Sequence, residues 1–190
     1  QGLEFPMVTF SSLLLPAFLG GVAVFFMSFF LRMVLKYHWS DFSRLPDEDE
    51  VMSALSEQGA GSGQYSFPFC DGPQQMKDPD WQEKNNKGPK GFLTLLPEGP
   101  YAMGKALGQS FLFNFGVALF AAWAVTHFLA AEPEASLVWC FVATIGFLAF
   151  GVSSIWDPIW MGSNWRVCLL KLMDGALYGV AMGLPFYLLF

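Results

Sequence analysis

The run Val8–Lys36, VTFSSLLLPAFLGGVAVFFMSFFLRMVLK, sets the class of this protein. From Val8 to Phe30 it carries no charge, and Arg32 and Lys36 close it. About 20 apolar residues in a helix cross a hydrocarbon core of ~30 Å. A first membrane span over Val8–Leu35 is therefore expected, with Pro16 a candidate kink. The run is too long for the apolar core of a signal peptide, and no basic residue precedes it in the sequence, so it reads as a retained helix.

Three further runs follow the same rule. Ala106–Ala131 is interrupted only by Gln109, Ser110, Asn114, Thr126 and His127; Leu137–Ile155 is uncharged; Arg166–Phe190 carries Lys171 and Asp174 in its first half. Glu132, Pro133 and Glu134 form the turn between the second and third. The expected fold is an all-α integral membrane protein of four transmembrane helices, spanning about 8–35, 106–131, 137–155 and 166–190, in a single membrane domain. Composition agrees: 54% of the 190 residues are hydrophobic and 14% charged, far from the balance of a soluble domain. A net charge of −6 argues against nucleic acid as a partner, because phosphate binding needs clustered Lys and Arg.

All ten basic residues fall on one side of this four-span arrangement. Eight, from Arg32 to Lys105, flank or occupy the stretch between the first two spans, and Arg166 and Lys171 begin the fourth. Cytoplasmic flanks collect Lys and Arg, so that side is expected to be cytoplasmic and both termini to lie on the other, in a bacterial inner membrane. The large cytoplasmic loop, 37–103, should contain a short helix near 47–57, begun by Pro46 and the acids Asp47–Glu50 and stopped at Gly59. Met76–Lys90 is highly polar, with at most a helical turn near Trp81. Gly91–Pro97, apolar but too short to span, is expected at the membrane interface.

Candidate chemistry is sparse. Gly175, Gly179 and Gly183 recur every four residues, a ridge for close helix packing, with Gly104 and Gly108 a weaker version. Lys171 and Asp174, three apart, share a helix face and are expected to form an intramembrane ion pair. Such a pair reduces the cost of burying either charge, although Asp174 could instead bond groups on adjacent helices or serve a proton or substrate. His127 is a candidate pigment ligand through one ring nitrogen, or a hydrogen-bonding partner of a neighbouring helix or headgroup. His38 and Asp41 are close enough to share a metal, but two ligands make no site, and none is expected. Cys70, Cys140 and Cys168 have neither disulfide nor zinc spacing, and no C-x-x-C-H occurs. There is no G-x-S-x-G, no phosphate loop and no internal repeat of the transporter kind, so no catalytic residue is assigned and no cofactor is required, with bound lipid or pigment allowed.

Met76-Lys77-Asp78-Pro79-Asp80-Trp81, Lys87-Gly88-Pro89, Leu95-Leu96-Pro97-Glu98-Gly99-Pro100 and Met103-Gly104-Lys105 resemble a family of small uncharacterised bacterial multi-pass inner-membrane proteins. Ser40-Asp41-Phe42, Leu45-Pro46-Asp47-Glu48-Asp49, Ile159-Trp160 and Lys171 through Asp174-Gly175 are similar to it too. The resemblance implies a membrane protein and carries over no activity and no functional residue. What remains by elimination is a non-catalytic accessory or structural subunit of a larger membrane complex, its partners being lipids and other transmembrane subunits, with a photosynthetic or respiratory assembly as host. The rivals are a small transporter or proton-coupled channel using Asp174, and a lipid-modifying enzyme with chemistry around His38 and Asp41.

Overall fold

A computed structural model describes residues 9–130 and 132–189. The span limits expected at Val8, Ala131 and Phe190 lie outside the described residues. The chain divides into two compact units, one holding residues up to Asp41 and from Ala102 onward, the other Phe42–Tyr101.

The first unit contains four helices long and apolar enough to cross a membrane, Phe10–Val34, Met103–Phe128, Ala135–Trp160 and Trp165–Leu189. The first begins as a 3-10 turn, Phe10–Leu13, whose N-cap Thr9 accepts from the Ser12 amide, and continues as α1 (Leu14–Phe29). Pro16 sits in the first turn of α1, where its missing amide hydrogen costs no helical bond. The helix widens into a π turn over Phe30–Val34, closed by the Leu35 amide on the Phe30 carbonyl at 3.2 Å. Lys36 then takes a left-handed conformation (φ 57°) and the chain reverses into a 3-10 turn, Tyr37–Ser40.

In the second unit, α2 (Glu48–Glu57) is capped by Asp47, which accepts from the Glu50 amide at 3.0 Å, and Gly59 beyond it has φ +66°. β1 (Gly63–Phe67) and β2 (Gly91–Leu95) pair antiparallel, Tyr65 opposite Leu93 and Phe67 opposite Gly91. Between them lies α3 (Pro79–Lys87), started by the Asp78 cap and Pro79. Two expectations are corrected here. The protein is mostly helical rather than all-α, because Gly91–Leu95 pairs as a strand with Gly63–Phe67. Met76–Lys90 holds a nine-residue helix rather than a single turn, its ends written by Asp78-Pro79 and by Gly88 at φ +67°.

The remaining helices of the first unit are α4 (Met103–Phe128), α5 (Ala135–Phe150), α6 (Trp156–Trp160) and α7 (Trp165–Leu189). A 3-10 turn, Val152–Ile155, joins α5 to α6. α7 packs most extensively on α5, and α1 packs on both α4 and α7. Glycine permits this closeness: a Cβ added at Gly146 would stand 2.7 Å from Gly179 Cα, and one at Gly183 would stand 2.8 Å from Trp139 Cδ1. Gly175 lies against Gly151 in the same seam. Gly104 and Gly108, by contrast, face open space, so they form no packing ridge. The core consists of small and branched side chains such as Ala17, Val24, Ala118, Ala121, Val138 and Val142, with Met182 and Phe186 filling the centre.

Candidate functional site

The most concentrated chemistry lies where the reversed chain after α1 meets the first half of α7. Asp174 is 1% exposed. It belongs to the inward stripe of α7 with Tyr178, Ala181 and Met182, at helical spacing of three and four. A buried carboxylate needs partners, and the reversal at Lys36 supplies them: Tyr37 Oη donates to Asp174 Oδ1, and His38 Nε2 lies 2.7 Å from Asp174 Oδ2. On its other edge, His38 Nδ1 lies 2.5 Å from Asp41 Oδ2, and the half-exposed Arg166 reaches Asp41 Oδ1 at 3.4 Å. The result is one chain of contacts, Tyr37–Asp174–His38–Asp41–Arg166, running from a buried helix face to an exposed guanidinium.

His38 bridges two carboxylates, Asp174 on its Nε2 edge and Asp41 on its Nδ1 edge, and Arg166 meets Asp41 from the more exposed side. Burial, and then the Asp174 carboxylate, hold the Tyr37 phenol above the ordinary tyrosine range, so it remains a donor. Both ring nitrogens of His38 are engaged on opposite edges, leaving no open lone pair for a substrate. Among the described residues no three His, Cys, Asp or Glu side chains converge on a point that could hold a metal ion.

The expected pair Lys171–Asp174 does not form. Lys171 Nζ bonds Asp157 Oδ2 of α6 at 2.9 Å, at a partly exposed edge of the bundle. Three residues along a helix turn the two side chains about 60° apart, enough to aim Asp174 inward at Tyr37 and His38 and to leave Lys171 facing α6. The Asp174 pairing was hidden because its partner lies 136 residues earlier in the sequence. His38–Asp41 spacing was its one local trace. Gly175, Gly179 and Gly183 lie in the α5–α7 seam. His127 Nδ1 lies 2.8 Å from the Trp123 carbonyl of its own helix, and its ring stacks on Trp123 at 4.6 Å. The tautomer that donates there leaves the Nε2 lone pair outward. The three cysteines are free thiols, Cys168 buried, Cys70 half-buried and Cys140 exposed.

The second unit offers a different kind of site. No side chain of residues 42–101 is fully buried, while Phe42 is 91% exposed and Phe69, Leu96 and Tyr101 are each about two-thirds exposed. Its internal ties are polar: Trp81 Nε1 donates to the Phe69 carbonyl and Gln82 Nε2 to the Met76 carbonyl, both at 2.9 Å. No protein-family model, no curated protein and no solved structure matches the chain.

Proposed function

We propose that the protein is a non-catalytic, partner-binding subunit of a bacterial inner-membrane assembly, anchored by its four spans and docking through the unit Phe42–Tyr101 on the cytoplasmic side. The observation that carries this reading is the missing core of that unit. Domains of this size are already marginal when they bury about 60% of the surface of the unfolded chain. A unit with no buried side chain and several exposed aromatics gains its missing burial by covering Phe42, Phe69, Leu96 and Tyr101 with another surface. The lysines at 77, 84, 87 and 90 support the cytoplasmic assignment by the positive-inside rule. The test is gentle-detergent purification from the native membrane, with mass spectrometry of what travels with the chain. Stoichiometric companions, released by Phe42→Asp combined with Phe69→Asp, are expected; a chain that purifies alone and behaves as its double variant does would overturn the reading.

A second reading is favoured by the Tyr37–Asp174–His38–Asp41 chain: proton-coupled transport. An imidazole bridging a buried and a more exposed carboxylate can accept a proton on one nitrogen and release one from the other. It predicts that protein in liposomes conducts protons and that Asp174→Asn abolishes the flux while companions remain bound. Absence of flux from the unaltered protein rejects it.

A further inference from the structure

A groove of about 380 Å³ opens between the π turn after α1, the first half of α4 and the middle of α7. One part of its wall is polar: Arg32, Ser28, Ser110, Asn114 and Tyr178. The rest is Phe25, Phe29, Met33, Leu107 and Phe113, of which Phe29, Met33, Leu107 and Phe113 are exposed on the outside of the bundle. No carboxylate lines it.

Two observations give the groove a ligand chemistry. The Tyr178 hydroxyl is buried with no hydrogen bond of ordinary length, in a residue only 6% exposed, and a buried hydroxyl left without a bond is destabilising. Arg32, the cation beside it, has no carboxylate within ion-pair distance among the described residues. The Arg32 guanidinium, which no carboxylate pairs among the described residues, stands beside the Tyr178 hydroxyl with the buried Asn114 amide alongside, a donor set that suits an anion with several oxygens, while the Asp174 carboxylate lies near the same hydroxyl. Arg32 stands near the end of the first long apolar helix, and the apolar remainder of the wall suits hydrocarbon.

We infer that this groove is a binding site for one anionic phospholipid, its phosphate on Arg32 and the Tyr178 hydroxyl and its acyl chain along Phe25, Phe29 and Phe113. Free phosphate would leave the apolar wall unfilled.

The experiment is native mass spectrometry of the delipidated protein titrated with phosphatidylglycerol, with phosphatidylethanolamine and inorganic phosphate as the other probes. One tightly retained phosphatidylglycerol is expected. Arg32→Gln and Tyr178→Phe should each weaken retention about tenfold, the loss of one charge-assisted or one buried hydrogen bond. The Tyr178→Phe variant removes a hydroxyl that makes no hydrogen bond of ordinary length within the protein, so its thermal unfolding midpoint should change little, which separates lost binding from lost fold. Equal retention by the unaltered protein and both variants, equal retention of the zwitterionic lipid, or displacement of the lipid by millimolar phosphate would each overturn the assignment.

Discussion

Asp174 and Lys171 stand three residues apart in α7 and differ greatly in what they hold together. Removing the buried Asp174 carboxylate strands the Tyr37 hydroxyl and one edge of His38, both half-buried; Asp174→Ala should cost about 3 kcal/mol, the lower end of the penalty for breaking a buried pair. Lys171→Met breaks a contact whose side chains are 37% and 41% exposed and should cost less than about 1 kcal/mol. Thermal unfolding in one detergent compares them, and equal losses would refute the assignment of partners. Tyr37 supplies a pH prediction. Its phenol is raised in the folded state, first by burial and then by Asp174, so the folded chain keeps a proton that the unfolded chain releases near pH ~10. Its contribution is complete below that pH and is lost as pH rises further. A spectroscopic titration should find the same number of tyrosines ionising between about pH 9 and 11 in Tyr37→Phe as in the unaltered protein. One fewer in the variant would show that Tyr37 ionises normally. His38 and Asp41 could be paired by eye from their spacing, but Asp174 could not be added to them, since helix periodicity says which residues share a face and nothing about what meets it.

The α5–α7 seam is where helix identity turns into a specific contact. Gly179 lies against the Ala143 carbonyl and Gly175 against Gly151, backbone to backbone, so no side chain can yield to an added methyl. Gly179→Ala should therefore destabilise by about 1–3 kcal/mol through overpacking. Gly108→Ala, in open space on α4, should be neutral or slightly stabilising, since alanine is the better helix former. Thermal midpoints of the two variants test this, and a larger loss at Gly108 would reverse the packing assignment. The three-glycine ridge was legible because its period is local. Gly104 and Gly108 share that period and pack on nothing, so periodicity alone overcounts seams. β1 and β2 were missed for the opposite reason: their partners stand 24 to 32 residues apart across α3, and neither five-residue segment announces its mate.

The two units differ in kind. The four-helix unit buries Val24, Val142, Met182 and Phe186 completely, while the 42–101 unit buries no side chain. Hydrogen exchange in detergent should thus show the amides of α2, α3 and the β1–β2 pair exchanging well before those of the middle of α7, because local opening is cheap where few apolar contacts are lost. Comparable protection in the purified chain would mean that the second unit is stable without a partner. Four helices long and apolar enough to cross a membrane, and the start of α2 at the acids after Pro46, could be read from the chain alone, because the cost of placing a charge in hydrocarbon and the fit of acids to a first helical turn are properties of neighbouring residues. Which carboxylate meets which cation, and that a tyrosine and a histidine after the first span close over an aspartate in the fourth, depended on the chain reversal at Lys36 and on the inward face of α7. The contacts of Asp174 with Tyr37 and His38, and of Arg166 with Asp41, join residues more than a hundred positions apart, selected by packing, and no local pattern encodes them.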